Sequence, residues 1–191
     1  MTGLRRLSFR AGTPADAPVL ARAVADGFEG YRAWAGPAWR PPDEASPRGV
    51  RELRERLAAP GVWSRLALDD GRVVGHVLFE PARTHRDWDG LVPGVAHVAH
   101  VFVDEEWWGT GLAARLLEAA VVEARSQGYH AARLWTPAGQ ARARAFYARE
   151  GWRENGATRF EPGLGLDIVE LTITLRDDES AENADTRRFT G

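Results

Sequence analysis

At 191 residues, with 44% hydrophobic side chains and a formal charge of −2, the chain is sized for one domain with its own core. The balanced charge argues against nucleic acid or an anionic membrane surface as a partner, and no apolar run reaches the ~18 residues of a membrane span. The absence of cysteine excludes disulfides and a thiol nucleophile. It fits a reducing, cytoplasmic setting, as does a basic N-terminus that leads into no apolar signal segment.

In chain order, residues 4–10 predict a short strand. Thr13-Pro14-Ala15-Asp16 then opens a helix running to about residue 26, with Thr13 as its N-cap and proline in the first turn. Residues 27–47 are irregular and rich in Gly, Pro and Trp; a second helix over 47–59 stops before Pro60-Gly61. Residues 62–68 and 72–80 read as a hairpin about Asp69-Asp70-Gly71. A loop over 81–93 carries Arg83, His85, Arg86, Asp87, Trp88 and Asp89. A strand over 95–103 follows, then a helix over 109–127, a strand over 130–136, the helix that carries Tyr147, and strands over 152–158 and 166–175. This interleaving is an α/β order without internal repeats. From Asp177 the chain is polar and aperiodic, which predicts a disordered tail over 177–191 after a domain over 1–176.

The most specific segment is Val103-Asp104-Glu105-Glu106-Trp107-Trp108-Gly109-Thr110-Gly111-Leu112-Ala113. An apolar strand ends, a polar turn follows, and two glycines lead into an apolar-periodic helix. Glycines let a ligand approach the backbone, and the helix start directs unsatisfied N–H groups and a positive dipole end to the same place. That combination predicts a phosphate or pyrophosphate site. A P-loop is excluded because no lysine follows either glycine. Gly109-Thr110-Gly111-Leu112-Ala113-Ala114 formally satisfies a dinucleotide fingerprint. However, five residues separate strand from glycine, and the next strand ends without a carboxylate.

Trp108-Gly109-Thr110-Gly111-Leu112-Ala113 after Val103 resembles the acyl-CoA pyrophosphate loop of the GNAT superfamily of N-acetyltransferases, Gln/Arg-x-x-Gly-x-Gly/Ala, with Trp108 in place of the usual Gln or Arg. Further on, Gln140-Ala141-Arg142-Ala143-Arg144-Ala145-Phe146-Tyr147-Ala148-Arg149-Glu150-Gly151-Trp152 resembles the family's second signature, Asn-x-x-Ala-x-x-Phe-Tyr-x-x-x-Gly-Phe. Ala143, Phe146, Tyr147 and Gly151 match in register, while Gln140 and Trp152 replace Asn and Phe. The resemblance covers roughly residues 7–175. It implies a single α/β domain with a mixed, largely antiparallel sheet flanked by helices. It also implies direct acetyl transfer from acetyl-CoA to an amine, with no covalent enzyme intermediate and no metal. On this reading Val101, Phe102, Val103, Trp108, Gly109, Thr110, Gly111, Leu112, Ala113, Ala114, Gln140 and Phe146 hold the cofactor.

Acetyl transfer needs a neutral amine, stabilisation of a tetrahedral oxyanion, and a proton for the leaving thiolate. An alkylamine of pKa ~10.4 is neutral in only about one molecule in a thousand at pH 7, so a base or a desolvating pocket is required. The resemblance assigns thiolate protonation to Tyr147, and the oxyanion to a backbone N–H around Val101 to Val103. His97 and His100 are candidate bases on the same strand; either is equally a core histidine. Strand alternation puts His97 with Val101 and Val103 and His100 with Phe102 on opposite faces, unless a bulge intervenes. That separation also argues against a two-histidine metal site.

Acceptor specificity is expected in residues 27–47, where Phe28, Tyr31, Trp34 and Trp39 accompany Glu29, Asp43 and Glu44. Aromatic faces beside carboxylates suit a cationic amine on an apolar body. The expected acceptor is a small-molecule amine, with a protein amine second. A different class, an acyl-CoA-binding module without catalysis, is motivated by Trp108 and Gln140. Trp107 and Trp108 read as a cover over the glycine loop. Arg142, Arg144 and Arg149 read as a basic helical face, in solvent or toward the CoA ribose phosphate. A homodimer built on the apolar last strand is compatible with the pattern.

Overall fold

The computed structural model describes residues 7–84 and 90–175. The strands are β1 (Leu7–Ala11), β2 (Trp63–Asp69), β3 (Arg72–Arg83), β4 (Leu91–Val103), β5 (Ala131–Pro137), β6 (Arg153–Glu161) and β7 (Leu166–Thr174). The helices are α1 (Ala17–Glu29), α2 (Arg32–Ala35), α3 (Pro47–Ala58), α4 (Leu112–Ser126) and α5 (Ala141–Arg149). The predicted tail over 177–191, and the loop residues His85, Arg86, Asp87, Trp88 and Asp89, lie outside the described residues.

Local chemistry accounts for several boundaries. Asp70 (φ 49°) and Gly71 (φ 80°) make the tight β2–β3 turn, the left-handed pair that matches strand twist. Ahead of α1, Asp16 does more than Thr13. Its carboxylate accepts from the Thr13 N–H (2.8 Å) and hydroxyl (2.9 Å) and pairs with both terminal nitrogens of Arg10 at 2.6 and 2.8 Å. The expected cap therefore works in reverse, with Thr13 donating. The Arg10 guanidinium holds the Asp16 carboxyl down at about 2. Ser46 caps α3 as a hydroxyl acceptor for the Gly49 N–H at 3.1 Å, with Pro47 in the first turn.

The sheet order is β1-β2-β3-β4-β5-β7-β6, antiparallel except for the β4–β5 pair. Its two faces bury different sets of residues. Val77, Phe79, Ala96 and Val98 pack with Leu112, Leu116, Leu117 and Ala120 of α4. Leu66 and Leu78 pack with Ala17, Leu20 and Ala21 of α1 and Leu53 of α3. The loop expected over 81–93 is partly strand, since β3 runs on to Arg83 and β4 starts at Leu91. Pro81 is accommodated beside a register shift. The last strand is paired on both sides, with β5 and β6, and so has no free edge. No helix among the described residues is long and apolar enough to cross a membrane.

Two irregularities open the centre of the sheet. His100 pairs with Leu78 and Val98 with Phe79, which leaves Ala99 unopposed as a bulge in β4. Beyond it, β4 parts from β5. The parallel ladder consists of Val95, Ala96 and His97 against Ala131, Ala132 and Arg133, and stops there. The residues of β4 past His97 thus have β3 on one side and a cleft on the other.

Gly27 marks how closely α1 approaches this region. A Cβ there would lie 2.3 and 2.5 Å from the Phe102 ring, which is itself stacked on His76 and met edge-on by Phe28 and His100. Gly27→Ala would gain up to about 1 kcal/mol in helix propensity but overpack the Phe102 ring, a cost of about 1–3 kcal/mol. The variant should unfold at lower denaturant than the parent; a raised midpoint would show that Phe102 gives way freely.

Candidate functional site

The parting of β4 and β5 creates a cleft of about 680 Å³ bounded by α1, the start of α4 and α5. At one end lies the glycine turn. Gly109 (φ 76°) and Gly111 (φ 85°) both adopt left-handed conformations, and a Cβ at either would meet nothing within 4 Å. The backbone here is therefore open to a ligand. Gly111 caps α4, and its carbonyl accepts the first helical bond, from the Arg115 N–H at 3.1 Å. The N–H groups of the first turn, including those of Ala113 and Ala114, are left to face out of the helix end. An anion is the natural ligand for such an end.

Trp107 and Trp108 do not act alike. Trp107 is a core residue, 8% exposed beneath the turn, rather than a cover over it. Trp108 is 46% exposed, and its indole N–H donates to the Val103 carbonyl at 2.9 Å. The Arg142 guanidinium lies 3.8 Å over the Trp108 ring. Arg149 also lines the cleft, whereas Arg144 is engaged with Glu154 at 2.6 Å. The predicted basic face is thus divided between cleft and surface.

Trp108 also reports the orientation of the β4 backbone. Val103 turns its carbonyl to the cleft, while the Asp104 N–H points the other way and donates to Val74. Strand alternation then directs the N–H groups of Val101 and Val103 to the edge that β5 has left. Midway along the cleft, α5 presents Ala143, Phe146 and Tyr147, with Gln140 at its N-cap. Gly151, at φ 85°, terminates α5 in the expected left-handed conformation. Burial pushes the Tyr147 phenol well above its ordinary value, with nearby Tyr31 adding to the effect. Among the described residues its hydroxyl has no hydrogen-bond partner.

The bulge corrects the expected placement of the histidines. Ala99 takes up the extra position, so Ala96, Val98, Val101 and Val103 pack on the α4 side. His97 is opposite Glu80 and His100 opposite Leu78, on the α1–α3 side with Phe102. Both histidines therefore line the same cleft. Burial is the leading cause that lowers His97 to about 4, opposed by the Glu80 carboxylate and reinforced by Arg133 and Arg56. It takes His100 well below its ordinary value, with Arg56 and the neighbouring histidines pushing the same way. Behind them His76, fully buried on β3, is lowered to about 4 by burial. Its Nε2 lies 3.3 Å from His100 Nδ1. No three His, Asp or Glu side chains among the described residues are grouped to hold a metal ion.

Phe28 and Tyr31 form the far end of the cleft, and burial raises the Tyr31 phenol to about 12. Trp34 packs on Tyr31 (ring centroids 5.0 Å apart) and against Gly139, outside the lining. Thr110 is likewise outside it, since its hydroxyl turns inward to donate to the Trp107 carbonyl at 2.7 Å. Trp39 donates to the Leu164 carbonyl at 2.8 Å, tying residues 36–46 to the β6–β7 connection. Of the three carboxylates expected beside the acceptor, only Glu44 lines the cleft, and Glu161, which nothing in the sequence marked, lines it too. Glu44, raised by burial, also borders a second cavity of about 400 Å³ that it shares with His100, Glu52 and Arg56. Its signal was present only as one acid among several; Glu29 pairs with Arg32 instead, at 2.5 Å.

Residues 28–152 match the model of the acetyltransferase (GNAT) family. No curated protein sequence matches the chain. The fold is shared with an N-acetyltransferase from Staphylococcus aureus Mu50 (TM-score 0.67, 16% identity, covering 90% of this chain and 99% of that one). It is shared too with ribosomal-protein-alanine N-acetyltransferase from Brucella melitensis (0.66, 22%, 87% and 99%). A third structure with this fold is PaiA N-acetyltransferase from Thermoplasma acidophilum in complex with coenzyme A (0.63, 14%, 86% and 98%). The chain belongs to the GNAT acetyltransferase family.

The buried histidines couple folding to pH. Unfolded histidine titrates near ~6.5, whereas burial lowers folded His76 and His97 to about 4 and takes His100 well below its ordinary value. Below pH ~6.5 the unfolded chain takes up protons that the native state refuses. Stability should be full above that pH and fall as pH drops toward 4, by roughly 1.4 kcal/mol per unit for each histidine. Urea unfolding at pH 7.5, 6 and 5 reads this directly; a flat profile would mean that the rings protonate without unfolding.

Proposed function

We propose, with membership of this family as the premise, that the chain transfers the acetyl group of acetyl-CoA to the primary amine of a small molecule. The observation that carries this reading is the cleft, with an anion-binding helix end at one mouth, an unpartnered phenol at its middle and an aromatic, carboxylate-bearing pocket at the other. The residues present fit the donor. Gly109, Gly111 and the first turn of α4 offer N–H groups to a pyrophosphate, Arg142 and Arg149 add positive charge, and Phe146 with Gln140 borders the path of the arm.

Acetyl-CoA supplies an acyl group activated as a thioester. The chain's own groups then divide the work. The Val101 or Val103 N–H, at the open edge of β4, donates a hydrogen bond to the acyl oxygen as negative charge develops on it. Tyr147 gives its proton to the departing sulfur, and the proton that the attacking nitrogen sheds on becoming an amide restores the phenol, directly or through solvent water. The phenol's raised pKa keeps it protonated across the physiological range, and the same desolvation raises the proton affinity of the thiolate beside it. Phe28 and Tyr31 pack on the acceptor body, while the Glu44 and Glu161 carboxylates attract its cationic form. Neither histidine is suited to remove the ammonium proton: His97, at about 4, faces an amine near ~10.4, uphill by roughly 9 kcal/mol, and burial likewise takes His100 well below its ordinary value. The pocket instead selects or desolvates the neutral amine.

Two outcomes follow from these assignments. Tyr147→Phe should lower kcat by about 10²–10⁴-fold, with the calorimetric Kd for acetyl-CoA little changed. Equal losses in both would reduce Tyr147 to a packing residue, and absence of amine-dependent thiol release in the parent would favour a non-catalytic binding module. Secondly, kcat/KM should rise with pH in step with the acceptor's own pKa, so that amines of lower pKa reach their plateau earlier. A common inflection between pH 6 and 7 for all amines would instead identify a base on the enzyme.

A further inference from the structure

His76 has no place in the chemistry above, yet it is a fully buried polar ring set against a cleft residue. Its Nε2 faces His100 Nδ1 at 3.3 Å, the two rings meet edge to face at 83°, and its Nδ1 is buried with no partner among the described residues. His100 in turn lines both the cleft and the smaller cavity beside Glu44. Only one proton can lie between the two facing nitrogens, and there are two ways to place it.

If His100 donates from Nδ1, neutral His76 must carry its own proton on Nδ1, where it is a buried N–H without an acceptor. If His76 donates from Nε2, its Nδ1 keeps only a lone pair, and His100 carries its proton on Nε2. Orphaned buried N–H groups are the rarer and costlier kind. The second arrangement also leaves both rings in the tautomer that free histidine prefers. We infer that His76 fixes His100 as an Nε2–H donor toward the acceptor pocket, so that the preferred acceptor is an amine whose body carries an uncharged oxygen to receive that hydrogen bond.

The charge of that oxygen is constrained by its surroundings. Glu44 and Glu161 line the same end, Arg56 is held by both oxygens of Glu80 at 2.6 and 2.7 Å, and Arg159 pairs with Glu161 at 2.8 Å. A carboxylate on the acceptor would meet the Glu44 carboxylate, which has no ion-pair partner among the described residues, whereas an amide carbonyl or hydroxyl would bring no second charge there. In this scheme His100 touches substrate, and His76 is a positioning residue that sets which nitrogen of His100 is protonated. The inference rests on the acetyltransferase reading for its substrate, but not for its tautomer.

The test has two arms. In full-length protein labelled with ¹⁵N-histidine, long-range ¹H–¹⁵N spectra at pH 7.5 report which ring nitrogen bears the proton, with assignment from His76→Phe and His100→Gln. The expected result is protonated Nε2 and bare Nδ1 at His100, becoming a mixture in His76→Phe, which keeps the stack on Phe102. In the second arm, kcat/KM is compared for phenylalaninamide and phenethylamine, which differ by the carboxamide. The ratio in favour of the amide should fall about tenfold in His100→Phe, be largely kept in His100→Gln, whose side-chain amide still donates, and fall partway in His76→Phe. Protonated Nδ1 at His100 overturns the inference whatever the kinetics. So does a ratio that is the same in all four proteins. If neither amine is acetylated, the acetyltransferase reading fails and takes the donor role with it; the ring spectra, recorded without substrate, distinguish that failure from a wrong tautomer.

Discussion

Between Val98 and His100, β4 carries one residue more than the strand it pairs with, and the arrangement of the cleft depends on that insertion. A regular strand would alternate without interruption and put one histidine against α4, in the apolar core. With Ala99 unopposed, the alternation is reset, so that Val98 and Val101 both face α4 while His97 and His100 both face α1. A bulge also sharpens local twist and bends the strand. The β4–β5 ladder ends at His97 and Arg133, just before the bulge. The same irregularity that gathers the polar side chains thus coincides with the release of the backbone N–H groups of Val101 and Val103 from a neighbouring strand.

The electrostatics of the cleft follow from its being cut into the middle of the sheet. Histidines set there are kept neutral by burial, and Glu80, which burial alone would raise, is held below its usual value by Arg56. At the acceptor end Arg159 is paired with Glu161. Glu44 stands apart from these pairs and borders both cavities. A neutral, partly desolvated site strengthens every remaining dipole. On the proposed reading this favours the free amine over the ammonium and concentrates the effect of one backbone N–H and one phenol.

Much of this was legible in the residues because local rules and tertiary demands agreed. Asp70-Gly71 specified the hairpin, Pro60-Gly61 the end of α3 and Gly151 the end of α5; the apolar period marked α4, which starts at Leu112 rather than at residue 109 because Gly109 and Gly111 take left-handed conformations. The glycine turn could be recognised because its φ angles require glycine and its motif keeps company with a second one at Phe146-Tyr147. What stayed hidden depends on pairing across the sheet. Ala99 looks like any small strand residue, and only its register against Leu78 and Phe79 reveals the bulge. His76 sits in an apolar run with nothing to mark its contact with His100. Glu44, Trp34 and Trp39 occupy a stretch with no periodicity, so no local rule decides which of them turns toward the cleft.

Trp108 is the position where the chain departs furthest from the motif it resembles, and the structure gives the departure a physical context. A Gln or Arg there would bring a polar or charged group to the glycine turn from within the loop. Instead the indole is anchored by its N–H on Val103, and Arg142 of α5 rests on its face at 3.8 Å. A guanidinium therefore stands at the turn after all, but it arrives from a different element and is oriented by stacking rather than by its own backbone. On the proposed reading the positive charge at the pyrophosphate end is conserved in place while its donor has changed. The cleft then closes across its mouth through the contact between α5 and the glycine turn, the two segments that carry the resemblance.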